Sequence, residues 1–126
     1  MITIEMPFPP SVNHYWGSSG RRRFVSKRGK EFQRDVAIAW AASGHKTLEG
    51  PIELYVAALF PDNRRRDLDN LLKATQDALE HAGAYEDDGQ IHRLGIWREG
   101  VEDGGRLVVQ MQPLGDQGKT LIVVKG

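Results

Sequence analysis

The sequence predicts an α/β fold of the α+β type: one two-layer domain, in the order β-α-β-α-β-β, with two helices on a mixed sheet. Three observations carry this. Segments alternating with period two take turns with segments of three- and four-residue periodicity. The stretch Pro51 to Phe60 is apolar on both faces, which suits a central strand better than an edge strand. The 126 residues hold no repeat, low-complexity tract or linker, and such a length suits one domain with a real core.

Ile2, Ile4 and Met6 alternate with Thr3 and Glu5, a short half-buried strand that Pro7, Pro9 and Pro10 end. Ser11 to Gly20 reads as a loop carrying Asn13, His14, Tyr15 and Trp16, and Arg21 to Val25 is open between loop and edge strand. Ser26 is placed to cap a helix running to about Ser43. Phe32, Val36, Ala39, Trp40 and Ser43 form its core stripe, and Gly44 stops it. In the second strand, Ile52, Leu54, Val56, Ala58 and Phe60 share one face, while Glu53, Tyr55, Ala57 and Leu59 share the other. With both helices on one side of the sheet, the second face needs cover from loops or a partner chain. After the turn residues Pro61, Asp62 and Asn63, a second helix starts at Asp67 or Leu68 and ends at Gly83. Its core stripe is Leu68, Leu71, Leu72, Thr75, Ala78, Leu79 and Ala82, with Asp69, Lys73, Gln76 and Glu80 on one flank. Ile91 to Trp97 is a strand, Gly104-Gly105 a hairpin turn signal, and Arg106 to Gln112 the return strand. Trp40 and Trp97 are predicted in the core. Residues 1–113 form the domain and 114–126 an extension. Lys119 to Lys125 is open between an edge strand, a dimer contact and a tail.

With no Cys, disulfide scaffolds, zinc ribbons, thiol nucleophiles and redox motifs are excluded. No apolar run approaches the roughly 18 residues of a membrane span. The N-terminus has no basic or apolar signal region, so a cytoplasmic protein without a membrane partner is expected. Seventeen Lys and Arg balance seventeen Asp and Glu, yet the charges are segregated. Arg21, Arg22, Arg23, Lys27, Arg28, Lys30 and Arg34 face one acid, Glu31, in their stretch; eight acids between Asp77 and Asp103 face Arg93 and Arg98. The basic run suits a polyanion surface and a solvated face equally.

The chemistry concentrates in Arg64-Arg65-Arg66-Asp67-Leu68-Asp69-Asn70-Leu71-Leu72-Lys73 and in Glu86-Asp87-Asp88. Two carboxylates two residues apart at a helix start can converge on one hard cation, Mg²⁺ or Mn²⁺, with a third carboxylate from the acidic turn. Lys73 lies one turn beyond Asp69, within reach of a phosphate, and the three arginines suit a nucleic-acid backbone. Together these parts describe metal-assisted phosphodiester hydrolysis. Each also has a plainer reading: Asp67 as an N-cap, Asp69–Lys73 as a helix-surface pair, and Asp87-Asp88-Gly89 as a solvated turn.

The chain resembles the RusA family of Holliday junction resolvases. The likeness rests on the run from Pro7 to Trp16, on Phe24 to Phe32, and most specifically on Asp62 to Lys73 with Ala78-Leu79, Gly83 and Asp87-Asp88. It spans about residues 2–113. The resemblance implies a homodimeric, Mg²⁺-dependent endonuclease that places paired symmetric nicks across a four-way DNA junction. It makes Asp67, Asp69 and Asp88 the metal-binding catalytic carboxylates, Lys73 the essential basic residue, and Asn13, Asn70 and Arg64 to Arg66 DNA contacts. Arg21, Arg22, Arg23 and Lys27 join that DNA surface as expectations from the basic run; the arginine cluster departs from the family pattern. Two competing readings remain: a non-catalytic junction- or duplex-binding protein, and a metal nuclease acting on other branched DNA or RNA.

Overall fold

The computed structural model describes residues 1–115; the expectation for Lys119 to Lys125 lies outside them. The predicted order is present as β1 (Ile2–Pro7), α2 (Lys27–Ser43), β4 (Ile52–Phe60), α3 (Leu68–His81), β5 (Ile91–Val101) and β6 (Arg106–Pro113). Between β1 and α2 the chain adds a short helix, α1 (Val12–Tyr15), and two strands, β2 (Trp16–Ser19) and β3 (Arg22–Val25). A 3-10 turn, Asp88–Gln90, precedes β5.

The main sheet runs β1-β6-β4-β5, with β4 parallel to β5 and antiparallel to β6. One face buries Ile4, Met6, Ile52, Leu54, Val56, Ala58, Phe60, Leu107, Val109 and Met111, and packs against Phe32, Val36 and Trp40 of α2 and Leu71, Ala74, Ala78 and Leu79 of α3. Burial of this continuous apolar layer is the main driving force for the fold. Ser26 caps α2 through a bond from the Gly29 amide, 3.1 Å, and Gly44 ends it at φ 71°.

Three expectations change. Ser11 to Gly20 is no loop: its second half pairs with Arg22–Val25 as an antiparallel hairpin, β2–β3. Local sequence hid this because Gly17, Ser18 and Ser19 carry almost no strand propensity. Gly104-Gly105 turns the chain without making a β-hairpin, because β5 and β6 lie on opposite sides of β4. The turn crosses the end of β4, where the Glu102 amide donates to the Phe60 carbonyl. Gly105 has φ 68°, and a Cβ there would come within 3.0 Å of Phe8 Cβ and 2.9 Å of Pro61 Cδ; the crossing needs glycine for space as well as for conformation. Trp97 is not a core residue. It is 41% exposed on the sheet face opposite the helices. That face, with Tyr55, Ala57, Leu59 and Val108 near its centre, is only partly buried by the described residues, so of the two covers expected for it, loops or a partner chain, loops supply little.

Candidate active site

The start of α3 is set by Asp62. One of its oxygens accepts the Arg64 amide, and its carboxylate takes the Arg66 guanidinium in a two-bond fork. The Arg66 side-chain bond, followed by the Arg64 backbone bond, holds the Asp62 carboxyl down at about 2. Arg66 also stands over the Phe8 ring, 5.8 Å from its centroid. It is therefore committed to local structure. Arg64 and Arg65 are exposed, with no carboxylate within ion-pair distance among the described residues.

Asp67 occupies the N-cap position of α3 by backbone conformation, yet its side chain makes no capping hydrogen bond. Its carboxylate is thus not used by the helix. Asp69 lies exposed in the first turn, and no ion pair joins it to Lys73 among the described residues. Asp67, Asn70 and Arg64 to Arg66 line a cavity of about 880 Å³ that also touches Phe8 and Pro9-Pro10.

The acidic turn faces the other end of α3. Asp87 accepts the Gly89 amide, 2.9 Å, and Gln90 completes a capping box. The Gln90 amide is fully engaged. Its oxygen accepts the amides of Glu86 and Asp87 at 2.8 and 3.1 Å, and its nitrogen donates to the carbonyls of Leu48 and Gly50 at 3.1 and 2.9 Å. The Asp88 amide donates to Glu80 at 2.9 Å. Oxygens of Glu80, Asp87 and Asp88 approach within 4.8 Å of one another. An all-carboxylate donor set of this size fits a hard divalent cation. Asp67 and Asp69 are not part of that group.

Lys73 and Asp88 do come together. With Asp77, Glu80, Gln76, Trp16 and Arg23 they line a cleft of about 210 Å³. Arg23 stacks over Trp16, 4.7 Å from the ring centroid. Asp77 is anchored from behind: the buried Tyr15 hydroxyl donates to its carboxylate, and Gln33 donates to the same oxygen and to the Tyr15 oxygen, each at 3.0 Å. Burial, then the bond to Asp77, pushes the Tyr15 phenol far up, so it stays a donor throughout the working pH range. This ties α1, α2 and α3 together beneath the arginine hairpin. Asn13, Arg21, Arg22 and Arg23 line a further cavity of about 320 Å³ beside Trp16. Lys27 is exposed at the start of α2, outside all three cavities.

The residues that sequence reasoning passed over are Asp77, Glu80, Gln90, Tyr15 and Gln33. Glu80 carried a signal, since it shares the α3 flank with Asp69 and Lys73. Asp77 lies one turn beyond Lys73, but its anchoring carried no local signal, because its partner Tyr15 is 62 residues away.

Residues 7–112 match the protein family described as Endodeoxyribonuclease RusA. The chain is 37% identical over 110 residues to the crossover junction endodeoxyribonuclease of Enterobacteria phage HK97, covering 86% of this chain and 92% of that one. It is likewise 37% identical over 116 residues to the crossover junction endodeoxyribonuclease of Escherichia coli K12, covering 91% and 97%. The counterpart from Enterobacteria phage 82 is 36% identical over 115 residues, covering 90% and 96%. With the family match spanning the hairpin, both long helices and the acidic turn, the chain belongs to the RusA family of crossover junction endodeoxyribonucleases.

Proposed function

We propose that this chain resolves four-way DNA junctions as a homodimer, hydrolysing one phosphodiester in each of two opposed strands with Mg²⁺ (or Mn²⁺ in its place). The observation that carries this reading is the cleft in which Lys73 and Asp88 meet Arg23: an ammonium group, a carboxylate and a guanidinium around one small space. Asp67, Asp69 and Asp88 are the catalytic carboxylates in this reading, and Glu80 and Asp87 add donors beside Asp88. A divalent cation, for which Glu80, Asp87 and Asp88 offer clustered donors and Asp67 and Asp69 offer carboxylates from the other end of α3, would neutralise phosphate charge and lower the pKa of attacking water. The protein's own groups do the rest. Lys73, which has no carboxylate within ion-pair distance among the described residues, keeps its charge available for the phosphate oxygens. Arg21 to Arg23, Lys27, Arg64 and Arg65, with the amides of Asn13 and Asn70, hold the flanking backbone. Binding therefore weakens steeply with salt. Arg66 supports the wall from which its neighbours project.

The homodimer reading is supported by the open sheet face. Tyr55, Ala57, Leu59 and Val108 form an apolar centre with polar Thr3, Glu5 and Gln110 around it, and a two-fold pairing of such faces uses one surface on both protomers. A two-fold enzyme matches a junction of near two-fold symmetry. The test is a labelled mobile four-way junction with purified protein and Mg²⁺. Symmetric paired nicks are expected, along with a dimer in sedimentation that Ala57→Glu turns into a monomer. Absence of nicks under every divalent metal overturns the reading, and nicks confined to forks, flaps or RNA replace its substrate.

A further inference from the structure

We infer that the cavity at the start of α3 is a nucleotide site: it takes one unstacked nucleotide of the cleaved strand, beside the scissile phosphate. The inference rests on the reading of Asp67 as a catalytic carboxylate, and it assigns the cavity a ligand of its own. The cavity, about 880 Å³, falls within the range of small-molecule sites. One side of its wall is apolar. The half-buried Phe8 ring leans on Phe60 with centroids 5.2 Å apart, and Pro9 and Pro10 continue that surface. Three of its cations, Arg28, Arg64 and Arg65, are exposed and have no carboxylate within ion-pair distance among the described residues.

Contact with duplex backbone alone requires the cations but not the apolar wall. An unstacked nucleotide requires both, because its phosphates seek guanidinium groups while its base seeks a π-face or a flat apolar surface. Asn70 adds an amide that presents a donor and an acceptor together, the chemistry that reads a base edge. Arg66, held by Asp62 and lying over Phe8, keeps this wall in place without any ligand. The branch point of a junction is where stacking is already interrupted, so withdrawal of one nucleotide costs least there. A base bound beside the reacting phosphate contributes to positioning in the transition state, so its identity alters cleavage rate more than affinity.

The test uses the full chain with four-way junctions carrying 2-aminopurine singly at each position around the branch point, at saturating protein in EDTA. Fluorescence is expected to rise severalfold at one position flanking the nick. Phe8→Ala abolishes that rise, and Phe8→Leu, which keeps apolar packing against Phe60 but removes the flat ring, reduces it at least twofold. In Mg²⁺, cleavage rates over the four bases at that position spread at least tenfold in the native chain and less than threefold in Phe8→Leu. No brightening at any position, or a spread of rates unchanged in Phe8→Leu, overturns the inference. The fluorescence measurement needs no turnover. A chain that brightens the probe but never cuts refutes the nuclease reading alone, whereas a chain that cuts all four bases equally refutes the nucleotide site alone.

Discussion

At the N-terminal end of α3, Asp67 and Asp69 hold no capping bond or ion pair among the described residues, and Asp67 looks onto open space lined with arginines. At its C-terminal end, Glu80 is bonded to the Asp88 amide, and the acidic turn is pinned to Leu48 and Gly50 through one glutamine. The same helix thus carries carboxylates that are positioned before any ligand arrives and carboxylates that are not. An N-terminal carboxylate left unused by its helix forgoes a cap worth about 1 kcal/mol and stays open to a ligand. A turn tied by hydrogen bonds to two distant segments is what a preorganised donor set requires.

The largest expected effect tests whether both ends serve one reaction. Asp67→Asn and Asp88→Asn should each lower junction cleavage by about a hundredfold or more, while gel-shift binding to the junction persists. If only one of them does so, the two ends are not one site. Next, Gln90→Ala should cost about 2 kcal/mol in urea unfolding, since it removes a partner from four backbone groups. An Asn70→Ala change at the other end, where no such clamp exists, should cost less than about 0.5 kcal/mol.

Glu80→Gln keeps an oxygen to accept the Asp88 amide and removes only the charge. Mn²⁺ affinity, measured by calorimetry, should fall about tenfold with thermal stability unchanged. Unaltered affinity would remove Glu80 from the donor set and leave it a structural acceptor. The smallest effect concerns the N-terminal end. The Asp62 carboxyl sits at about 2 in the folded chain, below the roughly 3.9 of an unfolded aspartate. A depressed folded pKa stabilises above the unfolded value, so the advantage of the native chain over Asp62→Asn is full above about pH 4. It should shrink as pH falls through about 2 and vanish only below that, and a difference in melting temperature that does not shrink on acidification from about pH 5 to about pH 2 would break this assignment.

The sequence by itself determined the main sheet's elements, the ends of both long helices and the residues that mark the family. All of these rest on local rules. Ser26 and Gly44 bound α2, Leu68 to Ala82 keep one helical stripe, and the Asp-Leu-Asp-Asn block and the Asp pair are contiguous in the chain. What it left open are matters of distance in space. The strand order, with β6 on the far side of β4 from β5, is decided by pairing that no turn signal encodes, and the register that aligns Trp97 with Ala57 sets Trp97 on the open face. The hairpin β2–β3 follows directly on Tyr15, which is seated between α2 and α3 by bonds to Gln33 and Asp77, and nothing in Gly17 to Ser19 favours a strand. Only the tertiary structure brings Lys73, Asp77, Glu80 and Asp88 to one cleft beneath Arg23, since helical periodicity aligns residues of one element but cannot say which loop will come to rest against them.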